Sequence, residues 1–368
     1  MVNYIFILTV TRLQIPQNDT SVKVKNFYIG TSGTFEIHSK IPGRARASNN
    51  TKLILLWNPL FTGMEFLQEG HKSFNHSSCS ERRCEIISDR NRLAESDAIL
   101  FHLRTFSLLD IPRRRSSNQK WIFFSLEAPP YSNFPGLSFM HDMFNWTMTY
   151  RNDSDVVMTY GRSVKNIKSS FTEKDVYSLW KKKTKMAVWM ASHCHTHSKR
   201  EEYVEQMAKH MDVVTYGECG VAVCPFNRTD ECLKKFSQQY FFYLAFENSI
   251  CDDYVTEKFF RTLKYNMIPV VFGGGKYSKI APPGSYIDAL DFSSPKDLAD
   301  HLYSVASRFA VFAEYFRWKI EGYDVYDVPD PCVLCEKLHS QSFNVHTVYH
   351  DIQEWWVGHS HCYKWVGS

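Results

Sequence analysis

The chain has 368 residues, long for one compact core and comfortable for two domains. Its composition, 44% apolar and 22% charged, is that of a folded globular protein and excludes wholesale disorder. With 43 basic against 39 acidic side chains the net charge is only +4, which argues against nucleic acid as a partner.

In chain order, residues 4–10 are apolar but far short of the ~20 needed to span a bilayer. They lack the basic flank and small-residue cleavage site of a signal peptide. Residues 1–20 therefore read as a short stub or stem, with any anchor upstream or reduced to this stub. Residues 21–180 form the first expected domain, with short apolar runs at 53–57, 98–103, 121–126 and 156–160 that read as buried strands. The run Lys181-Lys182-Lys183-Thr184-Lys185 reads as a solvated linker and marks the boundary.

Residues 186–330 alternate more regularly. Strands are expected at 186–191, 212–216, 241–247 and 268–272, with helices at 199–211, 256–266 and 295–308. Repeated β-α-β units imply an α/β fold with a parallel, doubly wound sheet, which binds ligands beyond the carboxyl ends of its strands. Gly273-Gly274-Gly275 lacks the spacing and neighbours of a phosphate loop. Residues 331–368 form a cysteine-containing C-terminal segment.

Ten cysteines and six Asn-x-Ser/Thr sequons, at Asn18, Asn49, Asn75, Asn145, Asn152 and Asn227, together favour an oxidising, glycosylating lumen. An aromatic fraction of 15% suits a carbohydrate-facing surface, although most of these rings must be core.

Two helix starts carry the wrong charge. In Ser198-Lys199-Arg200-Glu201, which reads as a capping box, two cations occupy the first turn, where the helix dipole is already positive. Lys258 repeats the pattern behind Asp252-Asp253-Tyr254-Val255-Thr256-Glu257. Each costs only ~0.3–1 kcal/mol, but two at strand ends of one sheet describe a site that a bound anion would relieve. A nucleotide diphosphate fits; the bland alternative is that both side chains reach into solvent.

The most informative segment is the apolar strand Phe241-Phe242-Tyr243-Leu244-Ala245-Phe246, which ends in Glu247-Asn248-Ser249 and leads to Tyr254, Glu257 and Lys258. It closely resembles the signature of the α1,3-fucosyltransferases of glycosyltransferase family 10. The resemblance continues through Ile268-Pro269-Val270-Val271-Phe272-Gly273, Ala281-Pro282-Pro283-Gly284, Leu126-Glu127-Ala128-Pro129 and the stretch from Trp146 to Asp155, about two-thirds of the chain. The Cys219, Cys224 and Cys232 spacing and the ending Glu354-Trp355-Trp356 look most like invertebrate members acting on N-glycans.

The resemblance implies a GT-B fold, two Rossmann-like domains facing a cleft, and an inverting enzyme using GDP-fucose. It implies that Arg200 and Lys258 neutralise the diphosphate, that Asn248 and Tyr254 contact the nucleotide, that Glu257 binds fucose hydroxyls and that Tyr216 lines the guanosine pocket. Glu127 matches the general base of the first, acceptor-binding domain. It stands after an apolar strand and beside Pro129-Pro130, where low-polarity neighbours would raise its basicity. The acceptor would be GlcNAc of a glycoprotein N-glycan, and the location the Golgi lumen behind an N-terminal membrane anchor. Other nucleotide-sugar transfer on the same fold, or glycan binding without catalysis, are the competing readings.

Ser192-His193-Cys194-His195-Thr196-His197 looks like a metal cluster, and Cys332-x-x-Cys335 has zinc-ribbon spacing. In an oxidising lumen disulfides are preferred, and no metal site is expected. A divalent cation, manganese or magnesium, is expected at most to stimulate. The resemblance suggests that Cys332 and Cys335 tie the C-terminal segment back to Cys79 and Cys84; spacing alone leaves the connectivity open. Ile250-Cys251 departs from the family's more usual polar pair and offers a further cysteine for pairing.

Overall fold

The computed structural model describes residues 50–60, 64–76, 79–166, 168–220, 224–225 and 228–367, with the backbone of three short strands at Val22–Val24, Phe27–Ile29 and Ser39–Ile41. The apolar stretch 4–10 and the sequons at Asn18, Asn49 and Asn227 lie outside the described residues.

Two parallel sheets organise the chain. The first runs in the spatial order Cys84–Ile87, Lys52–Leu56, Ala98–His102, Lys120–Ser125, Trp146–Thr149, Val156–Val157. The second runs Val213–Tyr216, Lys185–Met190, Tyr240–Phe246, Ile268–Phe272, Ile287–Asp288. Each places its second strand outside its first and adds the rest on the other side. That reversal leaves a crevice at the strands' carboxyl ends, between the first and third strands. This is the two-Rossmann GT-B arrangement expected.

Strand Tyr240–Phe246 is buried at every position because helices cover both faces of its sheet. Phe242, Leu244 and Phe246 meet Tyr203, Val204 and Met207 of helix Arg200–Met207 and Leu298 and Leu302 of helix Pro295–Ser307. Tyr243 and Ala245 face the other way, onto Phe259, Phe260 and Leu263 of helix Glu257–Lys264. Burial of this kind contributes about 1.5–3 kcal/mol per large apolar side chain, and it fixes where the strand ends stop.

The lysine run is solvated at Lys181, Lys182 and Lys185, but it is built into a helix and a strand rather than forming a linker. Helix Glu173–Lys182, closed by a Thr172–Asp175 capping box, occupies its first part. Trp180 Nε1 donates to Ala306 O, tying that helix to the second half. Lys183 is buried, its ammonium donating to Ser237 O, Tyr240 O and Asn266 O at 2.7–2.8 Å. Strand Arg162–Lys165 pairs antiparallel with Tyr323–Tyr326.

The C-terminal segment does not stay on the first half. Helix Cys332–His339 packs there through disulfides Cys79–Cys332 and Cys84–Cys335. Helix Ile352–Trp356 also joins that half's core. The last residues then cross over: Cys362 bonds Cys251, Tyr363 N donates to Ile250 O, and Trp365 packs on Tyr203. With Cys194–Cys219 and Cys224–Cys232, all ten cysteines are paired.

Asn145 is not available for glycosylation. It is fully buried; its Nδ2 donates to Thr347 O at 2.8 Å, and its Oδ1 accepts from Trp121 N and from Arg115. A sugar on that nitrogen would have to displace the core. Asn75 and Asn152 are exposed.

Candidate active site

The second sheet's crevice opens into a cavity of about 750 Å³. Ala191, Ser192 and His193 line it from the end of strand Lys185–Met190, and Asn248 lines it from the end of strand Tyr240–Phe246. Arg200, Glu257, Lys258 and Arg261 line it from two helix starts. Glu127 comes to the same cavity from the first half, two residues beyond strand Lys120–Ser125. A single space thus holds both misplaced cations and the candidate base.

Arg200 is the first residue of its helix and is 3% exposed. The cap differs from the expected box: Lys199 occupies the N-cap in the left-handed region at φ 59°, with no side-chain cap bond. Ser198 Oγ instead donates to Glu247 O, and the Glu201 carboxylate accepts from Thr196 N and Oγ1, both at 2.8 Å. Lys199 turns outward to Glu202, while Arg200 turns inward and donates to Phe246 O at 2.7 Å and His193 O at 3.3 Å. Burial lowers its pKa, with Glu247 opposing. Arg200 Nε and Asn248 Oδ1 are buried without a partner, two orphaned groups on cavity-lining residues.

Lys258 is held by three groups: Thr256 Oγ1 at 2.9 Å, Glu257 Oε1 at 3.2 Å and Glu247 Oε2 at 3.4 Å. Burial alone would lower its pKa; the Glu257 and Glu247 carboxylates outweigh that and hold it above its ordinary value. Glu247 is fully buried, accepts from Thr256 N at 2.8 Å and caps the turn into helix Glu257–Lys264. Burial pushes the Glu247 carboxyl up, against the pull of Lys258. On Glu257 burial pushes upward too, but Lys258 and Arg261 overcome it, so the pKa lies below the usual carboxylate value.

The setting of Glu127 differs from the low-polarity one expected. Arg104 Nη1 lies 3.4 Å from its Oε1, and Tyr254 Oη donates to its Oε2 at 3.4 Å. Ser125 Oγ and Ser132 Oγ both donate to its carbonyl, which fixes its backbone. Two expected site residues do not line the cavity. Tyr254 is buried between the halves, its ring 4.9 Å from that of Tyr150. Tyr216 packs on Phe236 at 4.5 Å, and its neighbours Gly217 and Glu218 line the wall instead.

Sequence reasoning missed Glu247, Arg104 and Arg261 as site groups. Arg261 carried a signal, since it stands three residues after Lys258 on one helix face. Among the described residues, the histidine and cysteine clusters with metal-ligating spacing lie elsewhere, at His76, Cys79, Asp330 and Cys332 and at Cys84, Cys335 and His339, where the cysteines are disulfide-bonded. In the 192–197 cluster, His193 lines the cavity and stacks on Tyr131 at 5.6 Å, while Cys194 is in its disulfide.

The family pattern described as glycosyltransferase family 10 (fucosyltransferase) C-term matches residues 180–355, and that described as fucosyltransferase, N-terminal matches residues 49–161. Alpha-(1,3)-fucosyltransferase C of Drosophila melanogaster is 39% identical over 340 residues, covering 84% of this chain and 79% of that protein. Glycoprotein 3-alpha-L-fucosyltransferase A of the same organism is 33% identical over 323 residues, 86% of this chain and 62% of that one. A crystal structure of an alpha1,3-fucosyltransferase shares the fold, with TM-score 0.54 and 16% identity over 85% of this chain and 95% of that chain. With both halves matched and the cleft residues assembled between them, the chain belongs to the fucosyltransferases of glycosyltransferase family 10.

Proposed function

We propose that this protein is an inverting α1,3-fucosyltransferase that moves L-fucose from GDP-fucose to the 3-hydroxyl of GlcNAc in glycoprotein N-glycans. The observation that carries the reading is the shared cavity, with Arg200 and Lys258 on one wall and Glu127 on the other. Its volume lies within the range of small-molecule and cofactor pockets. The first half takes the acceptor and the second half the donor.

Glu127 accepts the proton of the acceptor hydroxyl. That oxygen attacks the anomeric carbon of fucose as the bond to the β-phosphate breaks, and GDP leaves from the opposite face. In-line displacement inverts the configuration. Arg200 and Lys258 meet the charge that grows on the diphosphate, and being already fixed by carbonyls and carboxylates they need little reorganisation. Asn248 contacts the nucleotide, Tyr216 supports that wall from behind, and Glu257 orients fucose hydroxyls. No step requires a metal, and a divalent cation at most stimulates.

The work is done in the Golgi lumen, behind an N-terminal membrane anchor; the paired cysteines and the exposed sequons at Asn75 and Asn152 support an oxidising, glycosylating lumen. Among the described residues no helix is long and apolar enough to cross a membrane. The test is GDP release from GDP-fucose and, separately, from other nucleotide sugars, with defined N-glycans as acceptors and with and without chelator. Release from GDP-fucose alone, and only with a GlcNAc-bearing acceptor, is expected. Comparable turnover of another nucleotide sugar would overturn the donor assignment.

A further inference from the structure

We infer that the second half carries an oxyanion site separate from the catalytic cavity, built around Lys319 and suited to a phosphate or sulfate group, free or esterified to a sugar. The inference does not depend on the transferase reading. A second cavity, of about 380 Å³, opens beyond the carboxyl end of helix Glu257–Lys264 and shares no lining residue with the catalytic one. Its walls come from three separate segments, around Ser169, Lys264 and Lys319.

Two cations drawn in from solvent meet there on one residue. Lys183 Nζ donates to Asn266 O and Lys319 Nζ to Asn266 Oδ1, both at 2.7 Å. Lys183 has all three donors answered by carbonyls. Lys319 has Asn266 as its one polar partner and otherwise faces the rings of Trp318 at 5.0 Å and Phe171 at 5.8 Å, leaving two N–H donors for a ligand. Among the described residues, neither ammonium is paired with a carboxylate. Burial lowers Lys183 to a pKa of about 7 and Lys319 to about 8. Lys258 in the catalytic cavity is the contrast, buried but held above its ordinary value by two carboxylates. A cation taken from water without a counter-charge is costly, and an anion in the second cavity supplies one.

The remaining lining fits that charge. Lys168 and Lys264 add two exposed ammonium groups, of which Lys264 lies 3.0 Å from Asp327 Oδ1. Asp324 is the one carboxylate on the wall, and it already accepts from Asn166 Nδ2 at 2.9 Å. Three lysines against one aspartate leave the cavity cationic. A bare tetrahedral ion would not fill it, and Phe171 and Trp318 offer an apolar wall to a sugar ring carrying the charged group.

Calorimetric titration of inorganic phosphate, sulfate and glucose 6-phosphate into the full chain tests this, at constant ionic strength and with GDP saturating to fill the catalytic cavity. One site is expected. Lys319→Met, which keeps the apolar stem and removes the charge, should weaken binding by about tenfold or more. Lys168→Gln combined with Lys264→Gln should weaken it by about two- to threefold, as exposed charges do. Tighter binding of glucose 6-phosphate than of phosphate makes the ligand a sugar ester, and equal or weaker binding makes it the free ion; either result upholds the site. No binding of any probe, affinities unchanged in Lys319→Met, or glucose binding as tightly as its phosphate would overturn it. Should Lys319→Met not fold, the double variant decides, and unchanged affinity there rejects the site.

Discussion

In the second half of the molecule, the two helix-start cations at the cleft are held by protein groups before any ligand arrives. Lys258 sits among Glu247, Glu257 and Thr256, and Arg200 is bonded to two carbonyls. The first half, built on the same strand order, sends one carboxylate to the cavity, with a quarter of that side chain exposed. The difference follows from what each must hold. A constant ligand rewards a rigid, prepaired cradle, whereas a hydroxyl on a varied glycan needs a single base and open room around it.

The comparison breaks most visibly at Glu127. Glu127→Gln should lower turnover by about 10²–10⁴-fold, measured as fucose transfer at saturating donor; parent-like turnover would leave the first half without a chemical role. Lys258→Ala should weaken GDP binding by about 10–100-fold, the loss of a charge-assisted contact, read from inhibition by GDP. An unchanged constant would remove Lys258 from the cradle.

The strap behind the cradle gives a smaller effect. Cys251→Ser with Cys362→Ser opens a link spanning 111 residues and should lower unfolding free energy by about 2–4 kcal/mol in denaturant titration. An unchanged midpoint would mean the tail is held without it.

The smallest effect concerns the first sheet. Burial lowers His102 to a pKa of about 4. Between pH 6.5 and 4 the unfolded chain gains a proton there that the folded protein does not, so stability falls as pH drops through that window. His102→Gln should flatten this part of the stability-pH curve by about 1–3 kcal/mol; an unaltered slope would assign the acid sensitivity to other groups.

Much of this was legible in the sequence because parallel strands buried on both faces read as continuous apolar runs, as residues 240–246 do. The paired helix-start cations were legible because the dipole makes them anomalous. What escaped depended on tertiary partners. Strands Cys84–Ile87 and Trp146–Thr149 were missed because they are short and carry polar residues. Lys183 looks solvated until three carbonyls from distant segments converge on it. Asn145 looks like a sequon until Trp121 and Thr347 claim its amide. Ser198 looks like a cap until Lys199 takes a left-handed turn and its hydroxyl goes to Glu247 O. Glu247 reads as a turn residue, since nothing local shows that Thr256 and Lys258 fold back over it.

The division of labour across the cleft is tested most directly by titrating GDP calorimetrically into Glu127→Gln and Lys258→Ala side by side. Parent-like binding in the first protein and a severe loss in the second is the expected result. Equal losses in both, or a loss confined to Glu127→Gln, would contradict it.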